Sequence, residues 1–356
     1  MNEPNGASAG SARLTAFGAL CLARFREFYR EPEVIFWGFV FPILLAVGLG
    51  IAFRNRPAEV LPVAVVSAPG ADILSSILGN SKLLKVSVMQ ESEAARALRA
   101  GKVALLIVPR PGPGAIYRFD PARSESELAR VRADAMLQRA AGREDQLKVK
   151  DEPVSEPGAR YIDFLIPGII GMNLLSGGMW GVGFSLVDMR IKKLLKRLMA
   201  TPMYRGDFML SIMTMRVGFM FIEVGFMLAF GWIAFGLPVR GSLVSIFALG
   251  ALGSLCFGGL GLLLGSRARR VEAVMGLMNA VSMPMFIVSG VFFSAERFPA
   301  VLQPAIRLLP LTALIDALRA VILEGATLAS QAGRVGILAA WGLVCFVLGL
   351  RLFRWS

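Results

Sequence analysis

Apolar positions in this chain gather into runs long enough to cross a bilayer, and polar positions gather between them. Six such runs lie at 33–53, 164–187, 208–235, 242–265, 272–293 and 335–353, each close to the roughly 20 residues a membrane helix needs. Pro42 falls inside the first and is expected to kink it. Residues 54–160 break the pattern. Charges of both signs enter, and short apolar strands at 63–66, 86–89, 103–108 and 115–119 alternate with helical spacing over 71–78, 91–99 and 124–141. Alternating strands and helices predict a small α/β domain inserted after the first crossing. Pro- and Gly-rich pieces at 109–114 and 152–158 supply a surface loop and the linker back to the membrane.

Four segments outside the runs carry further patterns. Residues 1–12 are Gly/Ala/Ser-rich and predict disorder, and 13–31 alternate apolar positions with Arg24, Arg26 and Arg30, an amphipathic helix suited to a membrane interface. This is not a secretory signal, because the apolar core that follows is too long and no small-residue cleavage site follows Phe53. In 188–205, Ile191, Leu194, Leu195, Leu198 and Met199 take one helix face, while Lys192, Lys193, Lys196 and Arg197 take the other. Such a helix can lie on a membrane with its cations toward anionic lipid headgroups, dock on a partner, or merely mark the inner side of a membrane. Residues 294–332 suit no crossing, since Pro299, Pro304 and Pro310 interrupt short apolar pieces that also hold Glu296, Arg307, Asp316 and Arg319. Two short helices dipping partway in, packed against protein, would satisfy that backbone; a plain external loop is the alternative.

Charge orients these spans. Arg24, Arg26 and Arg30, the cations from Arg190 to Arg205, Arg267, Arg269 and Arg270, and Arg351 and Arg354 all fall on one side of an even number of crossings. The opposite turn at 236–241 has only Arg240. The positive-inside rule then predicts a polytopic α-helical membrane protein with about six transmembrane helices. Both termini are cytoplasmic, and the α/β domain between helices 1 and 2 is extracytoplasmic.

Composition narrows the class. Hydrophobic residues make up 55% of the chain, and mean hydropathy is +0.63. The net charge of +13 sits beside apolar spans, which favours membrane topology over nucleic acid as a partner. The chain has no histidine, which excludes His-based triads and His-ligated metals. Cys21, Cys256 and Cys345 are isolated, so neither a disulfide framework nor a metal site is legible. No phosphate loop occurs, so a nucleotide-driven activity would need another chain to hold the nucleotide.

The run MPMFIVSGVFFSAERFP, holding Ser289, Gly290, Glu296 and Pro299, and then LPLTALIDALR, holding Pro310, Thr312, Asp316 and Arg319, resemble the C-terminal signature of type 2 ABC exporter (ABC-2 type) permeases. The stretch from Arg190 to the pair Thr201-Pro202 resembles the cytoplasmic segment of the same family, and the likeness covers nearly the whole chain. It implies the membrane subunit of an ATP-driven exporter that moves an amphiphilic or hydrophobic substrate, such as a drug or lipid, outward. A cytoplasmic ABC ATPase subunit would bind ATP and Mg, a second permease subunit would pair with this one, and this chain would carry no cofactor and no catalytic residue. Residues 188–205 would be the ATPase-coupling helix, with Arg190, Ile191, Lys192, Lys193, Leu194, Lys196, Arg197, Leu198, Thr201 and Pro202 at the contact. Residues 294–332 would be the outward-facing re-entrant helices. One departure stands out: where the family pattern has an acid and a glycine, this chain has Ile191 and Lys193.

The third crossing holds Arg216 and Glu223, seven residues apart and so on nearly one helix face. Either they mark a polar point on a substrate path, or Arg216 snorkels toward the cytoplasm and Glu223 is a hydrogen-bonded packing residue. The paired glycines Gly177 with Gly181 and Gly261 with Gly265 predict close helix packing. A different class of function, a membrane-anchored interaction or signalling protein whose external domain binds a partner, would need neither a coupling helix nor a re-entrant segment.

Overall fold

A computed structural model of the chain describes residue 18 and residues 32–54, 60–110, 114–143, 160–200, 205–268 and 270–353. The expected interfacial helix over 13–31 lies outside the described residues, Gly18 apart. The described chain divides into two units, residues 60–143 on the one hand and residues 32–54 with 160–353 on the other.

In the smaller unit, β1 (Leu61–Val66), β2 (Leu84–Met89), β3 (Leu105–Arg110) and β4 (Gly114–Arg118) form one sheet in the order β2-β1-β3-β4. β1 runs parallel to β2 with Val63 opposite Val86 and parallel to β3 with Val63 opposite Leu105, while β4 returns antiparallel with Ile107 opposite Tyr117. The parallel pairs are joined through α2 (Ala71–Gly79) and α3 (Glu91–Arg99), and α4 (Ser124–Ala140) follows the sheet. Alternation along β1 explains its continuous apolar run: Val63 and Val65 pack under α2 and α4, Ala64 and Val66 under α3. At the sheet edge the Tyr117 hydroxyl donates to Asp134 Oδ1 at 3.2 Å. Burial, and then the Asp134 charge, push that phenol up to about 12.

In the larger unit six helices are long and apolar enough to cross a membrane, at Phe36–Phe53, Tyr161–Ile191, Gly206–Phe235, Leu243–Gly265, Val271–Val288 and Ala329–Leu352. Pro42 opens α1 (Phe41–Arg54) just after a π-helical turn at Phe36–Val40. A proline lacks the N–H that would bond the carbonyl four residues back. That carbonyl, Gly38 O, instead accepts from Asn173 Nδ2 at 3.3 Å, so the expected kink takes the form of a π turn held by a neighbouring span.

The second span is the axis. It comprises α5 (Tyr161–Gly178), a π-helical segment Met179–Phe184 and α6 (Ser185–Ile191). In its most apolar 18-residue stretch 83% of the residues are buried, against 17% in those of the first and last spans. Glycines let α9 (Leu243–Gly265) approach it backbone to backbone: a Cβ on Gly261 would lie 2.8 Å from Gly178 O, and one on Gly265 2.9 Å from Gly183 O. Gly261 and Gly265 thus make the close helix packing that their spacing suggested, within one chain, whereas Gly181 meets nothing. Further helices are α7 (Leu194–Met199), α8 (Arg205–Phe235), α10 (Val271–Val288), α11 (Gln303–Leu308), α12 (Pro310–Glu324) and α13 (Ala332–Leu352). The fifth span stops at Val288 rather than at 293, because Gly290, at φ 82°, turns the chain.

Contacts set the depth of α11 and α12. Leu311 and Ile315 fill the space beside Gly171, Leu314 fills that beside Gly253, and Trp341 Nε1 donates to Leu308 O at 2.9 Å. Each of Gly171, Gly253 and Trp341 lies nine or ten residues, about 15 Å, from the start of its helix. The far end of α12 returns to the starting level, where Arg240 N donates to Ile322 O at 2.8 Å. The chain therefore passes about halfway along the bundle at Leu308–Pro310 and comes back.

Candidate functional site

The basic stretch is not one helix. α6 ends at Ile191, and Lys192 N and Lys193 N donate to Asp188 O and Arg190 O at 2.9 and 3.0 Å. Lys193 then takes φ 57°, the only positive φ at a non-glycine among the described residues, and α7 restarts at Leu194. A left-handed residue just past a helix end is the position that favours glycine. The helical face expected over Ile191 to Met199 is therefore corrected to a corner between two short helices.

The corner sorts its residues. Leu195 is 1% exposed and packs with Leu186, Met189, Phe208, Met209, Ile212 and Met213. Ile191 and Leu194 are left 45% and 37% exposed, beside exposed Lys192, Lys193, Lys196 and Arg197. Lys192 is paired with Asp188 at 2.8 Å. Arg190 turns the other way: its guanidinium donates to Gly265 O at 3.1 Å, Ser266 O at 3.0 Å and Ala268 O at 2.8 Å, and stacks on Phe353 at 5.0 Å. It thus caps the carbonyl end of α9, where a helix dipole favours a cation. Leu198 belongs to α7, and Thr201 and Pro202 lie outside the described residues. The tip is accordingly a small apolar patch rimmed by cations, fastened inward by Arg190 and Leu195.

Midway along α8, Arg216 and Glu223 form a two-point ion pair, Nη1 to Oε1 at 2.8 Å and Nη2 to Oε2 at 2.6 Å, with both residues under 8% exposed. The snorkelling alternative for Arg216 is corrected, and the reason is Gly177. A Cβ there would overlap the guanidinium, so the glycine opens a seat for it between helices. Pairing within one helix turns two costly charges into a neutral unit.

Of the residues expected to be re-entrant, Ser289, Gly290, Asp316 and Arg319 lie toward the end opposite the tip, and Pro310 and Thr312 lie about halfway along the bundle. Arg319 Nε and Nη2 donate to Phe164 O at 3.3 and 3.1 Å, Nη2 also donates to Gly290 O, and the guanidinium lies 3.5 Å over the Phe164 ring. Asp316 sits 3.9 Å from Arg319. Burial pushes the Asp316 carboxyl above its usual range, against the pull of Arg334 and Arg319. Pro310 opens α12 at its first position. Thr312 and Ser289 are buried, their hydroxyls without a hydrogen-bond partner among the described residues, while Glu296 and Pro299 are exposed.

Several residues with structural work at this end carry no sequence signal. Arg160 pairs with Asp163 at 2.9 Å and donates to Gly236 O at 3.2 Å; that carboxylate holds the guanidinium above its ordinary value. Tyr161 Oη donates to Phe292 O at 3.1 Å.

With this geometry in place, the comparisons with known proteins are specific. The sequence model of the ABC-2 family transporter protein matches residues 32–351. The chain is similar to the linearmycin resistance permease protein LnrN of Bacillus subtilis (strain 168), 20% identical over 94% of this chain and 98% of that protein. It is similar to the probable multidrug ABC transporter permease YbhS of Escherichia coli (strain K12), 23% identical over 86% of this chain and 88% of that one. Nodulation protein J of Rhizobium meliloti (strain 1021) is 24% identical over 55% of this chain and 75% of its own.

Proposed function

The chain belongs to the ABC-2 transporter family as a multi-pass membrane permease, the transmembrane subunit of an ABC transporter, and from that premise we propose that it is the permease of an ATP-driven exporter whose ATPase docks on the corner at Ile191–Arg197. One observation carries the docking site: the tip exposes Ile191 and Leu194 in a ring of Lys192, Lys193, Lys196 and Arg197 while Arg190 and Leu195 anchor it. An acidic groove with an apolar floor on the partner complements that surface, and does so without the acid and glycine of the family pattern. ATP and Mg belong to that partner, and a second permease subunit completes the transporter. The tip then faces the cytoplasm and the α/β unit lies outside. Two similar proteins are named for linearmycin resistance and for multidrug transport. We extend this to an amphiphilic or hydrophobic cargo, drug or lipid, moved outward.

Charge reversal at Lys192, Lys193, Lys196 and Arg197 together is expected to cut co-purification of the cognate ATPase at least tenfold, with the permease still folded and membrane-inserted. Undiminished co-purification contradicts the docking site.

A further inference from the structure

Arg190 differs from the cations around it in that it holds on to a second element. Three of its hydrogen bonds end on carbonyls of Gly265, Ser266 and Ala268, the close of α9 and the turn that leads into α10. α9 is a poor recipient for movement, because its glycines bring its backbone against that of the axial span at Gly178, Met179 and Gly183. α10 is a good one. It buries only Val274, Met278, Ser282 and Met285, a single stripe at helical spacing, and leaves Met275, Leu277, Met283 and Ile287 exposed. Its middle touches the axial span through the flexible Met278 thioether, which lies over Gly183. Its other end is pinned: Gly290 O accepts from Arg319, Val291 presses its carbonyl onto Gly168, and Phe292 O accepts from Tyr161.

We propose that Arg190 is a positioning residue that links the docking tip to α10, so that displacement of the tip swings the near end of α10 about its pinned far end. The proposal rests on the docking reading above. A partner that closes on the tip moves α6, the guanidinium carries the turn at Ser266–Ala268 with it, and the narrow stripe of α10 lets that helix tilt where α9 cannot. Shear of packed helices by small displacements is an established mode of transmission.

The test uses the full permease with its cognate ATPase in nanodiscs, with Cys21, Cys256 and Cys345 replaced by alanine. Spin labels go on Leu210→Cys with Ala273→Cys near the tip, or on Ile233→Cys with Ile287→Cys at the far end, diluted with unlabelled permease. ATP with vanadate is expected to shift the near pair by about 2 Å or more and the far pair clearly less. In Arg190→Ala the near shift, read in complexes that retain their ATPase, is expected to vanish. Arg190→Lys, which keeps the charge but cannot span three carbonyls, is expected to give a reduced shift, and it serves if the alanine variant does not fold. A near shift undiminished in Arg190→Ala or Arg190→Lys, or a far pair that moves as much as the near pair, overturns the linkage alone. A wild-type permease that retains no ATPase overturns the docking reading and the linkage with it.

Discussion

The two ends of the membrane unit are built on opposite plans. At the far end, side chains from several elements tie carbonyls of others: Arg160 to Gly236, Tyr161 to Phe292, Arg319 to Phe164 and Gly290, and Arg334 to Asp316. At the tip end Arg190 makes such a tie, and the other described cations of the corner are exposed. Both ends are rich in arginine, so composition does not separate them. The difference lies in whether a guanidinium finds carbonyls of another element within reach, because a polar group left unsatisfied inside protein is costly and a solvated lysine is not. A stapled end suits a fixed pivot, and an end with exposed cationic surface suits a meeting with a partner.

That contrast can be attacked first from the middle. Replacing Arg216 or Glu223 singly by alanine strands a buried charge and is expected to cost about 3–5 kcal/mol in thermal unfolding. The double variant Arg216→Met with Glu223→Leu is expected to recover most of it, and singles no worse than the double would deny that the pair is buried as one unit. Next come the ends themselves. Arg319→Ala removes the guanidinium from which Phe164 O and Gly290 O accept and is expected to lose about 2–4 kcal/mol. Arg190→Ala, one of whose three carbonyl partners, Ala268, is half-buried beside exposed Arg267, is expected to lose less; equal losses would erase the distinction between staple and surface. The smallest effect is local. Lys193→Gly removes the penalty of a left-handed lysine and is expected to stabilise the corner by about 1 kcal/mol, read as a raised unfolding temperature.

Much of this architecture was legible in the sequence because it depends on period. Six apolar runs and the strand-helix alternation of residues 60–143 follow from spacing alone, as does the failure of residues 294–332 to span. What escaped is what depends on a neighbour's backbone. Nothing near Lys193 signals a helix end, since neither glycine nor proline is there and the helical spacing continues through it. The inward turn of Arg190 is decided by the close of α9, some 75 residues on. The seat of Arg216 is decided by a missing side chain at Gly177, in a different span. Pro42 was legible as a perturbation, but the form it takes depends on Asn173 reaching the freed carbonyl. The family likeness supplied a glycine at the position of Lys193, and the left-handed φ there gives that glycine its physical reason.

The most direct measurement is photo-crosslinking of the assembled transporter from a benzophenone amino acid placed at Leu194 on the tip and, separately, at Val301 at the other end, both exposed. The expected result is a covalent adduct with the cognate ATPase from Leu194 and none from Val301. An ATPase adduct from Val301, or none from Leu194 in a complex that retains its ATPase, would contradict docking at this corner.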